Sequence, residues 1–203
     1  MPWGFESLRA RKVFFLKSGK IVGQFTVVGK DGERVSVAFR FPKMADAKPL
    51  LRFINRVRDQ ADFLGERKHE TLASEKKFLK ERLKRIRQHR EILLFAESGG
   101  KIVGTTDISP SRLEVMAHVG NFGIALFDEF TGLGIGTRLA KCALRLAKTQ
   151  TSFKIINSNF FSKNLHSKKL HKKLGFKKYG ALPAGAKLRG RGYGTLIYVY
   201  KKI

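Results

Sequence analysis

Residues 119–148, VGNFGIALFDEFTGLGIGTRLAKCALRLAK, set a strand-like apolar segment, a glycine loop and an amphipathic helix end to end. A strand that hands over through Gly132, Gly134 and Gly136 to a helix start leaves several backbone N–H groups unpaired and pointing into one concavity. Such a concavity suits a phosphate or pyrophosphate, so the stretch is a cofactor site in outline. The rest of the chain has to build a mixed α/β layer structure around it.

Apolar runs at 13–17, 20–28 and 34–41, broken by Ser18-Gly19 and by Lys30-Asp31-Gly32, predict a three-strand meander. Pro42 ends it, and Leu50, Ile54, Val57, Ala61 and Leu64 recur at helical spacing, which predicts a first helix within 45–64. Thr71 is placed to cap a second helix whose apolar positions are Leu72, Phe78, Leu79, Leu83 and Ile86. Lys76, Lys77, Lys80, Arg82, Lys84, Arg85 and Arg87 would give that helix a basic outer surface. Ser98-Gly99-Gly100 predicts a hairpin, and residues 113–127 a long strand. Ile135, Leu139, Ala143 and Leu146 mark the core stripe of the helix after the glycine loop. A short strand at 153–157, a helix at 164–174 closed by Gly175, and strands at 179–183 and 194–201 complete the order.

With 203 residues and 42% apolar content, the chain supports one core of ordinary size. No apolar run is long enough to cross a bilayer, and Glu6, Arg9, Arg11 and Lys12 occupy the place where a secretion signal needs its apolar stretch. A cytoplasmic protein without membrane contact is therefore expected. The single Cys142 excludes an internal disulfide and reads as a packed thiol. No metal site is expected: His166 and His171 are five residues apart, off a common helical face, and no cysteine joins them. The glycine loop lacks the Gly-Lys-Ser/Thr of a nucleotide P-loop and the spacing of a dinucleotide fingerprint.

Charge divides the chain. The formal net charge is +26, no Asp or Glu follows Glu129, and residues 130–203 carry 17 Lys and Arg. That half should attract polyanions and focus phosphate-bearing ligands, which makes RNA or ribosome association a second expectation; a solvated, solubilising surface is the plain alternative.

The order of elements, with two motifs, resembles the GNAT family of acyl-CoA N-acyltransferases. The family's pyrophosphate loop, Arg/Gln-x-x-Gly-x-Gly/Ala, is matched by Thr131, Gly134 and Gly136, followed by Thr137 and Leu139. Its later signature, Asn-x-x-Ala-x-x-Leu-Tyr-x-x-Leu-Gly-Phe, aligns with Asn164, Ser167, Leu170, His171, Leu174, Gly175 and Phe176. Residues 118–137 and the ending RGYGTLIYVYKK look most like the branch containing phosphinothricin and ribosomal-protein acetyltransferases. The resemblance implies a mixed central sheet flanked by helices over residues 33–203, with 1–32 as an extension that adds an extra N-terminal β hairpin. It implies acetyl-CoA as cosubstrate and direct attack of a neutral primary amine in a ternary complex. The amides of Thr131, Gly132, Leu133, Gly134, Ile135, Gly136 and Thr137 would line the pyrophosphate. The backbone of Ile124, Ala125 and Leu126 would pair with the pantetheine, while Asn164 and Ser167 would meet the cofactor arm near its reacting end.

The departures from the pattern define the catalytic candidates. Thr131 replaces the loop's long side chain. His171 stands where a tyrosine often protonates the leaving thiolate, and it is either that acid or a surface residue of a Lys-rich helix. Asn121 stands where relatives carry a glutamate base, a role an amide cannot fill. The proton acceptor must then be an earlier carboxylate, with Glu114, Glu97 and Asp107 as candidates, or His118. A weak base favours an α-amine, whose reference pKa is about 7.7–8.0, over a lysine amine near 10.4. The positive field disfavours polycations. The expected acceptors are a small amino acid derivative carrying an acidic group or a protein N-terminus; a catalytically weak module binding RNA or the ribosome is the alternative, and monomer and homodimer are both open.

Overall fold

A computed structural model describes residues 18–60, 69–187 and 192–203. The strand expected at 13–17 and the helical turns expected beyond residue 60 lie outside the described residues. Eight strands form one sheet: β1 (Ile21–Val28), β2 (Arg34–Arg40), β3 (Ile92–Ser98), β4 (Lys101–Pro110), β5 (Val119–Leu126), β6 (Ile155–Phe161), β7 (Lys177–Lys187) and β8 (Tyr193–Lys202). The spatial order is β1-β2-β3-β4-β5-β6-β8-β7, antiparallel throughout except where β5 and β6 run parallel. Helices α1 (Ala47–Gln60) and α2 (Leu72–Arg87) lie on one face, and α3 (Ile135–Gln150) and α4 (Leu165–Lys173) on the other. This is the mixed sheet flanked by helices that the resemblance implies, with β1 at its edge in a hairpin with β2.

Local chemistry explains the junctions. Arg40 at the end of β2 takes both carboxylate oxygens of Asp46, at 2.7 and 2.9 Å, while Asp46 also accepts from the Lys43 amide at 2.8 Å. The buried pair turns the chain from β2 into α1. Burial works against the guanidinium charge, but the hydrogen bonds and charges of Asp46 and Glu97 outweigh it and raise its pKa. Thr71 caps α2 reciprocally with Ser74. Gly99 and Gly100, both at positive φ, make the tight turn between β3 and β4.

Two expectations are corrected. The segment 113–118 is not strand: Leu113 is 60% and Val115 85% exposed around a single 3-10 turn, and β5 begins only at Val119. The outer surface of α2 does not include Arg82. Arg82 is buried, ion-paired with Glu91 and with Asp107 at 2.8 Å, and Phe78, expected inside, is 43% exposed with the Arg82 guanidinium over its ring. The helix has turned so that a buried carboxylate at the start of β3 is neutralised, since an unpaired buried charge costs more than an exposed phenylalanine.

Candidate active site

β5 and β6 hydrogen-bond side by side only from Val119 to Asn121 and from Ile155 to Asn157. Past that point they part, and β5 keeps only its β4 partner, through Phe122 to Leu126. The Ser158 hydroxyl, 3.0 Å from the Phe122 carbonyl, spans the start of the gap. Because peptide groups alternate along a strand, the Phe122 carbonyl's orientation carries those of Ile124 and Leu126 into the gap as well. The Gly123 carbonyl, by contrast, accepts from Thr106 of β4, and the Phe127 amide donates to Val103. Ala125, in register with Thr105, falls in that second set, so its peptide serves the sheet rather than the open edge. The expected three-residue pairing surface is thus corrected to Ile124 and Leu126.

The glycine loop closes one end of this gap. Thr131 donates its hydroxyl to the Asp128 carbonyl at 2.7 Å and holds the turn before the glycines. Gly132 and Gly134 have φ of 82° and 76°, and a Cβ on either would meet nothing within 4 Å. They are glycines for backbone conformation, and they leave a cradle free of side chains. Gly134 starts α3 without a side-chain cap, so the first-turn amides of Ile135, Gly136 and Thr137 have no helix carbonyl to bind. Gly136 serves contact instead: a Cβ there would stand 3.3 Å from Leu126 and 3.7 Å from Ile124, so its absence lets α3 approach β5. Open amides at a helix start beside a bare glycine turn fit a pyrophosphate, and Ile124 and Leu126 fit an amide-bearing arm running from it.

α4 meets the gap from the same face. Asn164 caps it, its side-chain oxygen accepting from the Ser167 amide at 2.9 Å. His171 is 3% exposed, packed among Phe122, Phe160 and Phe176, with Nε2 2.9 Å from Ser158 Oγ and Nδ1 2.8 Å from the Ser167 carbonyl. The Ser167 hydroxyl is 3.2 Å from the same Nδ1. The surface alternative for His171 is corrected: the Phe cluster draws the ring inward, and burial pushes its pKa down. The Ser167 carbonyl takes the Nδ1 proton, so Nε2 is an acceptor, and the single hydroxyl proton of Ser158 lies between Nε2 and the Phe122 carbonyl at the junction of β6 and β5.

The opposite face of the gap is polar and largely neutral. Asn121 accepts from Asn157 at 3.2 Å, and the Tyr179 hydroxyl donates to Asn157 at 2.8 Å, with Tyr198 and Tyr200 against the Tyr179 ring. One carboxylate joins them. Asp107 of β4 stands opposite Gly123 of β5, and a Cβ on Gly123 would lie 2.9 Å from Asp107 Oδ1; Oδ2 is held by Arg82. In the sequence Asp107 is one of several acids, with no sign of its register with Gly123 or of the arginine behind it.

The other expected catalytic residues lie elsewhere. Glu114 is in the exposed turn before β5, and His118, also exposed, offers only its carbonyl to Lys154 and Ile155 at the beginning of β6. Both sit at the amino end of β5, while the glycine loop is at its carboxyl end, so neither is beside the gap. Glu97 is spent on Arg40 at 2.6 Å. Among the described residues no group of three His, Cys, Asp or Glu could hold a metal ion.

Comparison with known proteins agrees with this geometry. Residues 36–177 match the model of the acetyltransferase (GNAT) domain. The fold superposes on a GNAT-family acetyltransferase from Streptococcus pneumoniae (TM-score 0.76, 23% identity, covering 82% of this chain and 99% of that one). It also superposes on a ribosomal-protein-alanine N-acetyltransferase from Brucella melitensis (TM-score 0.73, 22% identity, 81% and 99%). A third likeness is to a Salmonella typhimurium acetyltransferase with its acetyl-CoA (TM-score 0.73, 15% identity, 82% and 93%). No curated protein matches the sequence. With a family match over more than two-thirds of its length and a strand gap of the right form beneath a glycine-loop helix, the chain belongs to the GNAT family of acetyl-CoA-dependent acetyltransferases.

Proposed function

We propose that the protein acetylates an α-amine, on a protein N-terminus or a small amino acid derivative bearing an acidic group, by direct transfer from acetyl-CoA. The observation that carries this reading is the parting of β5 and β6 after Asn121 and Asn157, with glycine-loop amides on one side and a neutral polar face on the other. The resemblance to ribosomal-protein alanine acetyltransferases, one from Brucella melitensis and one from Vibrio fischeri, supports the N-terminal form of the acceptor.

Bound acetyl-CoA supplies an activated thioester. The chain's residues orient it and handle the amine. Leu133 to Thr137 hold the pyrophosphate, and Ile124 and Leu126 the arm. The amine enters over Asn121 and Gly123. Its nitrogen forms the new bond to the acetyl carbon as the carbon–sulfur bond breaks, the electron pair leaving with sulfur as the CoA thiolate, and the amine's proton passes, directly or through a water, to Asp107 Oδ1. Arg82, 2.8 Å from Oδ2, fixes the position of the carboxylate and leaves Oδ1 toward Gly123. In this reading Glu114 and His118, at the amino end of β5, do not serve as the base, and Asn121 takes part in binding.

The test is thiol release from acetyl-CoA with N-terminal peptides, free amino acids, acidic analogues and spermidine as acceptors. Turnover with the peptides or acidic amines, reduced about a hundredfold or more by Asp107→Asn with little change in KM for acetyl-CoA, is the expected result. Efficient spermidine acetylation, or an unimpaired Asp107→Asn variant, would overturn acceptor and base respectively.

A further inference from the structure

We infer that the end of the sheet remote from the glycine loop is a docking surface for RNA, engaged through its phosphate backbone. The strand register builds this end. Lys154 precedes β6, whose Ile155 and Ile156 pair with Lys202 and Lys201 of β8. Lys177 and Lys178, at the beginning of β7, pair with Tyr200 and Val199, so their cations join the same edge. The helices deliver more: α3 ends near Lys148 and α4 ends at Lys173, both running away from the glycine loop. From the other face, α2 runs out to the same end, followed by Arg90 just before β3.

The surface has a groove. Arg90, Arg112, Ser111 and Ser152 line a depression of about 350 Å³ between the α2–β3 connection, the turn after β4 and the connection into β6. Among the described residues, Glu114 also lines the groove, and Glu91 is buried and already neutralised by Arg82 and Arg85. Since residues 130–203 contain no Asp or Glu, the cations brought here by β6, β7, β8, α3 and α4 have no acidic partners from that half of the chain.

One feature favours a flexible single strand such as RNA over a bilayer or a duplex. The cations lie on both faces of the sheet as well as across its end, so no one plane collects them, whereas a flexible strand can follow them. A bilayer meets a protein as a plane, and duplex DNA is stiff and costly to bend around a surface of this size. Single-stranded and looped RNA bends without that cost. Leu113 and Val115, exposed beside the groove, are the feature that a bilayer would use, and the experiment includes that arm.

The surface is independent of acetyl transfer, and its test does not use activity. Binding of the full chain to a labelled single-stranded RNA of about 30 nucleotides is followed by anisotropy over a range of salt. The variant Arg90→Glu/Arg112→Glu/Lys154→Glu is compared with Arg34→Glu/Arg52→Glu/Lys101→Glu, which changes net charge equally at exposed sites elsewhere. A neutralising version, Arg90→Gln/Arg112→Gln/Lys154→Gln, replaces the first if its thermal melt is not cooperative. We expect the groove variant to weaken RNA binding about tenfold or more and to lower the salt slope by about 2, as the loss of three phosphate contacts to a single strand requires. The control should lose far less. Equal losses in both variants would reduce the effect to net charge and overturn the inference. So would duplex DNA binding as tightly as RNA, or capture by phosphatidylserine vesicles with no RNA binding.

Discussion

Gly134 and His171 carry opposite kinds of constraint. Gly134 has open space around its missing side chain, so Gly134→Ala introduces no collision; its cost is the positive φ, about 1 kcal/mol, placed at the start of α3. The expected outcome is a several-fold rise in KM for acetyl-CoA with kcat nearly unchanged, read from initial rates; an unchanged KM would detach the loop from the cofactor. His171 is constrained by its surroundings. Burial disfavours its imidazolium, so its pKa in the folded protein lies below the unfolded value of about 6.5. The unfolded chain therefore binds the proton more readily, and the stability that neutral His171 supplies is whole above about pH 6.5 and drains as the pH falls below it. Thermal melts from pH 7 to 5 should show the wild type losing more than His171→Gln, which does not titrate. Parallel curves would remove the ring from the stability account, and a kcat limb that vanishes in the variant would restore it as an acid.

At the scale of elements, the site depends on how two strands separate. Ser158 is the first β6 residue beyond the paired stretch, and its hydroxyl lies between the Phe122 carbonyl and His171 Nε2. Ser158→Ala leaves those two buried groups without the shared partner, at a cost of about 1–3 kcal/mol. The same change lets β5 shift where Ile124 and Leu126 face the gap. Urea denaturation should register the loss of stability, and acetyl-CoA KM should rise alongside it. A Ser158→Ala protein with reduced stability and an unaltered KM would make the bridge structural only. Little of this was legible beforehand. The glycine loop, Asn164 and Gly175 announced their elements because turn and cap chemistry is local. The gap, the Ala125 peptide turned to β4 and the Asp107–Gly123 pairing are products of register between segments far apart in sequence, which spacing along one segment does not encode. Arg82 was misread for a related reason: helical periodicity counts it as basic surface, and only the distant Glu91 and Asp107 draw it inside.

Across the whole molecule, charge and pH act together on the choice of acceptor. A +26 chain raises the local concentration of anions and repels cations, so an amine that arrives protonated and alone works against the field, while one attached to an acidic group or to an RNA-bearing particle works with it. Attack on the thioester needs the lone pair of a neutral nitrogen, and Asp107, placed to receive the proton that is released as the new bond forms, does nothing for an amine that arrives as an ammonium. The amine must therefore reach the site already deprotonated. For an α-amine with a pKa of about 7.7–8.0, kcat/KM should climb about tenfold per pH unit up to that value and level off above it. A lysine side chain offered in the same peptide context should still be climbing at pH 9 and remain at least a hundredfold slower at pH 7. Rates for two matched peptides, one with its N-terminus free and one blocked there with a free lysine, measured from pH 6 to 9.5 at fixed ionic strength, decide the matter. Equal rates at pH 7 would mean that the protein strips protons from its acceptor, and Asp107 would then be the wrong base.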